Sequence, residues 1–355
     1  MRIVHRPMMW KPSVSPRSAL SRCFSQLSLA GLLLGCPALV QAEGSDPLVD
    51  AAEAREESAG AVAMLVPPCE ADDAEACTAS GYRLLEGDGV PKDEARATGV
   101  FSQACDFGSM RGCTMAGYGY AEGRGVERAP ERAAAYYARA CQGGEMTACS
   151  NLGLAHISGN GVPRDPVRAT ALFKTACDQD ARAGCANLGA SYSLGRGVKR
   201  NQRRAARLFR QACDADDQHA CYNLGVLYRD GLGVARRHKR AVALFERSCA
   251  AQDAAACGNL GLMVDDGRGA PRDRQRSLAL FETACELGEA ESCFTLGRAY
   301  QTGNGRERDD ARAITLLERT LSLDPKTPSA ASAHKALAIA RETLSAPATM
   351  SAENP

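Results

Sequence analysis

Cysteine is the residue type whose spacing in this sequence most clearly points to chemistry. The chain has 355 residues and 16 cysteines, and 14 of the cysteines fall into seven pairs with the same spacing, C-x7-C. The pairs are Cys69 with Cys77, Cys105 with Cys113, Cys141 with Cys149, Cys177 with Cys185, Cys213 with Cys221, Cys249 with Cys257, and Cys285 with Cys293. Thiols in this number can bind zinc, exchange electrons or form disulfides.

The spacing favours disulfides over metal or redox chemistry. Structural zinc sites use C-x2-C spacing or histidines at matching offsets, whereas His156, His219, His238 and His334 share no position relative to the cysteines. The C-x-x-C pattern of redox enzymes is absent as well. Regular pairs with no thiol left over are typical of a disulfide framework in an oxidising compartment. We therefore predict a disulfide for each pair, with no metal and no cofactor.

The cysteine pairs recur because the whole sequence repeats. Seven copies of 36 residues follow one another without insertion or deletion, and they begin at Cys77, Cys113, Cys149, Cys185, Cys221, Cys257 and Cys293. Self-similarity with a period of 20 to 50 residues is the signature of a solenoid or another repeat architecture.

Each copy contains the signals for two helices and a turn. In the third copy Gly159 ends helix A, Asp165 caps the start of helix B, and Phe173 belongs to the apolar stripe of helix B. Gly153 lies inside helix A, where it indicates a close approach of the two helices. We predict an all-α fold: an α/α solenoid of seven helix-turn-helix repeats with capping helices, stapled by disulfides and with one concave side.

The repeat pattern, N-L-G-x-x-Y-x-x-G-x-G-V-x-x-D-x-x-R-A-x-x-L-F-x-x-A-C, resembles the Sel1-like repeat, a relative of the tetratricopeptide repeat. Its cysteine pairs are similar to those of the Hcp group of cysteine-rich secreted bacterial proteins. This resemblance implies an adaptor that binds proteins or peptides. As an alternative, it implies a penicillin-binding protein or a weak β-lactamase.

The residues that a serine β-lactamase needs are mostly missing. Such enzymes combine S-x-x-K with S-D-N and K-T-G. Ser332 and Lys335 form the single S-x-x-K, Lys326 begins K-T-P, and S-D-N is absent. We therefore predict no catalytic residue and prefer an interaction scaffold over an enzyme.

Asparagine recurs at one position of four successive copies, two residues after the first cysteine. These residues are Asn151, Asn187, Asn223 and Asn259. A side-chain amide both donates and accepts hydrogen bonds, so a row of amides can pair with the backbone of an extended peptide. We predict that they bind a protein or peptide on the concave face. The alternative is that the amides bond to a neighbouring helix or cap the turn between repeats.

Charge is distributed by position within the repeat. The net charge is only +1, but turns inside the repeats are basic, above all at 199–210 and 235–240, and turns between repeats are acidic. In a solenoid these two classes of turn project from opposite edges, so the basic edge is a candidate for binding an anionic envelope component. We predict no nucleic acid partner, since the chain is expected to be exported. Seven arginines lie three residues after the helix B cap: Arg96, Arg132, Arg168, Arg204, Arg240, Arg276 and Arg312. We expect them to pair with the capping carboxylates Asp93, Asp165, Asp273 and Asp309, and the alternative is contact with an acidic partner.

The N-terminus has the features of a Sec-type signal peptide. Residues 1–42 contain no Asp or Glu, carry five Arg or Lys residues, and end in a short apolar run and a small-residue cleavage site. Cys36 follows a lipobox-like Leu33, so we expect membrane attachment only if Cys36 is lipidated.

The chain then divides into an N-terminal capping helix at 43–76, the solenoid at 77–328, a C-terminal capping helix at 329–345 and a disordered tail at 346–355. We predict a periplasmic or secreted protein.

Overall fold

The computed structural model describes residues 73–345, and helices are their only regular secondary structure. These residues fall into two compact units, 73–145 and 146–345. The first unit contains α1 Ala74–Glu86, α2 Glu94–Asp106, α3 Met110–Glu122 and α4 Pro130–Gln142. The second contains α5 Met146–Ser158, α6 Pro166–Asp178, α7 Arg182–Leu194, α8 Gln202–Asp214, α9 Gln218–Asp230, α10 His238–Ala250, α11 Ala254–Asp265, α12 Arg274–Glu286, α13 Ala290–Thr302, α14 Asp310–Leu323 and α15 Ala330–Ser345. The predicted all-α fold is confirmed.

Odd-numbered helices up to α13 are helix A of repeats 1 to 7, even-numbered helices are helix B, and α15 is the final helix. Within each unit, the helices pack against their neighbours in chain order. The expected signal peptide, its Cys36, most of the N-terminal capping segment and the C-terminal tail lie outside the described residues.

The ends of the helices follow the signals in the sequence. Helix A of repeat 4 ends at Gly195, which has φ +73° and whose N–H donates to the carbonyl oxygen of Ser191. Glycine adopts this left-handed conformation without the penalty that a Cβ brings. Helix B of repeat 3 begins after Asp165, whose Oδ1 accepts from the backbone N–H groups of Val167 and Arg168.

The link between repeats is shorter than the seven residues that separate paired cysteines. Helix B of repeat 3 continues through Cys177 to Asp178, and the next helix A begins at Arg182, so only three residues connect them. The middle residue of the link has positive φ at Gly108, Gly144, Asp180, Asp216, Gln252 and Gly288. The cysteines therefore lie inside the helices and not in a loop between them.

Disulfides join helix B of one repeat to helix A of the next. Five bridges have Cα atoms 4.4 to 4.7 Å apart, and they link Cys105 with Cys113, Cys177 with Cys185, Cys213 with Cys221, Cys249 with Cys257, and Cys285 with Cys293. Cys77, Cys141 and Cys149 are also disulfide-bonded, and Cys69 lies outside the described residues. The expectation of a fold stapled by disulfides is confirmed.

In repeats 1 to 6, helix A packs against helix B of its own repeat through a glycine and an aromatic ring, and in repeat 7 Leu317 takes the place of the ring. A Cβ atom on Gly225 would lie 2.8 Å from Cε1 of Phe245, closer than carbon atoms can approach. Gly153 and Phe173 make the same contact in repeat 3, with a corresponding distance of 2.5 Å. The phenylalanine rings at this position are almost completely buried. The close helix approach expected from the internal glycine is therefore present.

Neighbouring repeats pack through their turns and through the A helices. A Cβ on Gly197 would lie 1.9 Å from the carbonyl oxygen of Pro166, so the turn of repeat 4 lies directly on the start of helix B of repeat 3. The Thr170 hydroxyl donates to the carbonyl oxygen of Arg196 across the same contact. Helices α5 and α7 also approach each other, as do α13 and the final helix α15, so repeats contact each other on the helix A side as well.

The glycine contact generates a stability prediction for Gly225→Ala. The added methyl group must displace the buried Phe245 ring, and overpacking of this kind costs about 1–3 kcal/mol even though alanine favours the helix. We expect the free energy of unfolding to fall by about 2 kcal/mol, measured by urea denaturation of the oxidised protein with circular dichroism.

Gly99→Ala is the matched control for helix propensity. Gly99 lies inside α2, and a Cβ there meets no atom within 4 Å, so the same substitution should stabilise the protein by about 0.5–1 kcal/mol. Equal effects of the two variants would contradict the assignment of Gly225 to the helix interface.

Candidate functional site

The asparagine positions lie on a surface that we call the helix A face, made of the exposed and half-buried side chains of helices α5, α7, α9, α11 and α13. Although they share one position in the repeat, the four side chains differ in exposure. Asn151 is only 3% exposed, whereas Asn187, Asn223 and Asn259 are half-buried. The central part of the face therefore presents its amides to solvent better than its beginning does.

The amide of Asn259 is engaged within the protein. Its Nδ2 donates to the carbonyl oxygen of Ala255 at 2.7 Å and to the hydroxyl oxygen of Tyr222 at 3.4 Å. Its Oδ1 accepts from a guanidinium N–H of Arg229, which also bonds to Asp230 in a bidentate fashion. Burial raises the pKa of Tyr222 to about 12, so this hydroxyl stays protonated at neutral pH. The alternative of bonding to a neighbouring helix thus describes Asn259.

Two other amides of the row keep a buried oxygen without a partner. Oδ1 of Asn151 and Oδ1 of Asn223 are shielded from solvent, and neither accepts a hydrogen bond from any described residue. A buried acceptor left unpaired costs about 1–3 kcal/mol. Because both oxygens are shielded, a ligand N–H group recovers this free energy once the amide turns toward solvent to meet it.

Small side chains surround the third amide. Asn187 on α7 has Ala183, Ala186 and Ala190 on the same side of its helix, and all four are half-buried. Methyl groups leave room for a polypeptide backbone to approach the amide. This part of the helix A face is also uncharged.

The repeated arginines form a contact that the sequence pattern did not suggest. The capping carboxylate receives the backbone N–H of the arginine, as Asp273 does from Arg276 at 2.9 Å, so the expected pairing involves the main chain in most repeats. Where helix A carries a tyrosine 12 residues earlier, the guanidinium bonds to its hydroxyl and lies near its ring. These pairs are Arg132 with Tyr120, Arg204 with Tyr192, Arg240 with Tyr228, and Arg312 with Tyr300.

Of those four arginines only Arg312 follows a capping carboxylate, and it forms the expected ion pair with Asp309 at 3.3 Å. A guanidinium that contacts an aromatic ring gains about 0.5–1 kcal/mol at an exposed site. These pairs could have been found in the sequence, because a tyrosine recurs 12 residues before the arginine in these repeats.

The acidic turns between repeats are largely occupied by structural contacts. Asp217 and Glu289 cap helices α9 and α13 by accepting from backbone N–H groups, and burial raises the pKa of both carboxyl groups. Asp216 pairs with Arg247 of the next repeat. The acidic edge is therefore less available to a partner than the sequence pattern indicates.

The basic turns of repeats 4 and 5 and the helix B that follows each of them, in contrast, keep their charges free of ion pairs. Eleven exposed cations lie in repeats 4 and 5, and none forms an ion pair with a described residue. They are Arg196, Lys199, Arg200, Arg203, Arg204, Arg207, Arg210, Arg236, Arg237, Lys239 and Arg240, which we call the basic strip.

Residues 73–345 offer neither a metal cluster nor a membrane-spanning helix. They contain no cluster of three or more His, Cys, Asp or Glu residues arranged to hold a metal ion. Over the same range, every helix is too short or too polar to cross a membrane.

Comparison with known proteins identifies the repeat. The Sel1 repeat model matches residues 74–106, 111–145, 147–180, 182–217, 218–253, 254–289 and 290–324. The chain belongs to the Sel1 repeat family. Its predicted resemblance and its solenoid fold are thereby confirmed, with one match for each of the seven copies. No curated protein matches the sequence at a significant level.

Solved structures of other Sel1 repeat proteins share the fold. A protective antigen from uropathogenic Escherichia coli with an SLR fold is 24% identical, has a TM-score of 0.61, and matches 83% of this chain and 59% of its own. The present chain thus spans less than two thirds of that protein. A Sel1 repeat protein from Oxalobacter formigenes is 24% identical with a TM-score of 0.62, over 69% of this chain and 96% of its own.

A cysteine-rich relative is also among the similar structures. Cysteine-rich protein B of Helicobacter pylori is 24% identical over 37% of this chain and 93% of its own, with a TM-score of 0.31. Likenesses at these identities extend to the fold alone, so they assign neither a partner nor an activity to this Sel1 repeat chain.

The S-x-x-K residues of this Sel1 repeat protein lie on the final helix. Ser332 and Lys335 are exposed on α15 and line a groove of about 430 Å³ with Phe294, Arg298 and Ile339. No described hydrogen bond joins Ser332 to Lys335. A serine nucleophile needs a hydrogen-bonded base to activate it, so this groove lacks the contact on which a serine β-lactamase depends.

We accordingly expect no turnover of a chromogenic β-lactam by the oxidised protein. The initial rate should equal that of the Ser332→Ala variant and of buffer, because the serine has no activating base in contact. A rate that Ser332→Ala abolishes would instead make Ser332 a nucleophile.

Proposed function

We propose that this Sel1 repeat protein is an exported scaffold that binds an extended segment of a protein partner on the helix A face. Sel1 and tetratricopeptide-like repeats generally bind proteins, and the stacked A helices offer a continuous surface for such a segment. Among the described residues, the fold contains neither a metal cluster nor an activated nucleophile that favours an enzymatic role.

The observation that carries this proposal is the pair of buried, unpartnered amide oxygens of Asn151 and Asn223. Both occupy the same position of their repeats, with Asn187 between them. An extended peptide presents backbone N–H and carbonyl groups that can satisfy such amides. Asn151 is covered in the free protein, so Asn187 and Asn223 are the amides we expect to contact a ligand first.

The spacing of the amides suits an extended chain. Helices in contact lie about 8–10 Å apart, and an extended chain advances about 3.3 Å per residue. One amide per repeat would then meet about every third residue of the ligand. We expect specificity for backbone conformation rather than for charge, since the surroundings of Asn187 are uncharged.

Export is the part of the proposal that rests on the cysteines. Disulfides persist in oxidising compartments and are rare in the cytosol, and the described residues contain at least five complete bridges at repeat spacing. Together with the signal-like sequence at 1–42, this supports a periplasmic or secreted location. The basic edge would there be available to an anionic component of the envelope.

A library of unstructured 12-residue peptides tests the binding proposal. We expect selection to yield peptides whose affinity for the Asn187→Ala, Asn223→Ala double variant is about 5- to 160-fold weaker, because each lost amide removes about 0.5–1.5 kcal/mol of hydrogen bonding. Fluorescence anisotropy with labelled peptides measures the dissociation constants.

The Asn160→Ala, Asn304→Ala double variant serves as the control. It makes the same chemical change twice, in the turns within repeats 3 and 7 and away from the helix A face, and should leave affinity unchanged. Selected peptides that bind both double variants as tightly as the wild type would place the binding site elsewhere.

A further inference from the structure

The basic strip differs from the rest of the protein in having no acidic residue of its own. Neither 195–213 nor 231–245 contains an Asp or Glu. The carboxylate that caps helix B in repeats 1, 3, 6 and 7 is replaced by Asn201 in repeat 4 and by Arg237 in repeat 5, and Arg237 makes no side-chain cap. No described residue forms an ion pair with these cations, so they are available to an anion from outside the chain.

The two halves of the strip lie against each other. The turn of repeat 5 lies on the start of α8, because a Cβ on Gly233 would be 2.3 Å from the carbonyl carbon of Gln202. Arg203, Arg207 and Arg210 follow at positions i, i+4 and i+7 of α8, which places them on one face of that helix. The cations of both repeats thus form one continuous surface.

Tyr228 holds two guanidinium groups of the strip together. Its hydroxyl oxygen accepts from Arg210 of repeat 4 at 3.0 Å and from Arg240 of repeat 5 at 3.3 Å. Burial raises the pKa of the Tyr228 hydroxyl, but the hydrogen bonds and positive charges of Arg240 and Arg210 outweigh burial, and the pKa lies below its ordinary value. Two like charges therefore share one neutral acceptor, an arrangement that a bound anion would stabilise.

The equivalent site in repeat 7 is neutralised within the protein. There Tyr300 accepts from Arg312, and Arg306 also lies near its ring. Arg312 pairs with Asp309, and Arg306 pairs with Glu282. The same architecture therefore exists with internal counter-charges, and repeats 4 and 5 lack them.

The composition of the strip indicates the kind of anion. Nine of its eleven cations are arginines, whose planar guanidinium groups bind phosphate and carboxylate in a bidentate manner. None of the exposed large hydrophobic side chains of the described residues falls between 195 and 245. Docking of a protein partner depends on buried apolar or aromatic anchors, which this surface does not offer. A broad basic surface without exposed apolar side chains is suited to binding a broad anionic surface.

We propose that the basic strip docks the protein on a membrane surface through the phosphate groups of anionic lipids. Each cation near such a surface contributes to binding, and the attraction is screened by salt. This inference specifies the anionic envelope component of the proposed function as a lipid, and it rests on the proposed export of the protein. It is independent of peptide binding on the helix A face.

Vesicle co-sedimentation of the oxidised full chain tests the docking. Vesicles of phosphatidylcholine with about 30% phosphatidylglycerol are compared with pure phosphatidylcholine, at about 50 and 500 mM salt. We expect binding to the anionic vesicles at low salt only. The Arg204→Gln, Arg236→Gln, Arg240→Gln triple variant should bind roughly 100-fold more weakly, because three cations of the strip are lost.

The matched control removes three arginines from the same repeat positions elsewhere. Arg276→Gln, Arg308→Gln, Arg312→Gln changes the net charge equally, but these arginines pair with Glu246, Asp310 and Asp309. We expect its affinity to stay within about threefold of wild type, from the small net effect of exposed ion pairs. Any contribution of the apolar N-terminal segment is the same in all three proteins.

Three results would overturn the proposal. One is equal binding to neutral and anionic vesicles, and another is an equal loss in both triple variants. The third is binding of soluble polyphosphate or heparin by the wild type without any binding to vesicles, which would assign the strip to a linear polyanion. If the Arg204→Gln, Arg236→Gln, Arg240→Gln variant loses vesicle binding but still binds the selected peptides, the basic strip and the helix A face are separate binding surfaces.

Discussion

The contact on which the structure depends in repeats 1 to 6 is the one between the glycine inside helix A and the aromatic ring of helix B. Gly225 and Phe245 illustrate it: no atom fits between the helix backbone and the ring. This contact fixes how close the two helices of a repeat lie, and the buried ring supplies the largest apolar side chain of that repeat's core. A wider spacing would leave a cavity around the ring, and a side chain in place of the glycine would displace it.

Short connections follow from that close packing. Only three residues separate Asp178 from Arg182, and this reversal requires a left-handed middle residue, which is Asp180 here and a glycine in three other links. Because both helices continue through the cysteines, Cys177 and Cys185 face each other across the link and can form their bridge. The disulfides thus secure a geometry that helix packing has already produced. They also limit the unfolded chain through a short closed loop.

Function in a repeat fold depends on the residues that the fold leaves free. The helix A face and the basic strip are built from the same repeat positions in every copy, yet they differ from copy to copy in what is already satisfied. Asn259 is bonded to Arg229, whereas Asn223 keeps an unpaired oxygen. Arg312 has Asp309, whereas Arg240 has only the neutral Tyr228. Repeats 3 to 5 therefore carry most of the unused binding capacity of the second unit.

By itself, the sequence determined the period, the two helices of each repeat, their caps, the core positions and the pairing of cysteines at repeat spacing. These features depend on residues within about one repeat, so local patterns encode them. The tertiary structure alone decided which polar side chains are free. Asn259 has a partner in Arg229 that Asn223 lacks, Arg204 turns to Tyr192, and Arg247 neutralises Asp216. Each of these contacts depends on a side chain 12 to 31 residues away in the sequence. Identical positions in a repeat pattern look equivalent in sequence, and only contacts between helices and between neighbouring repeats make them different.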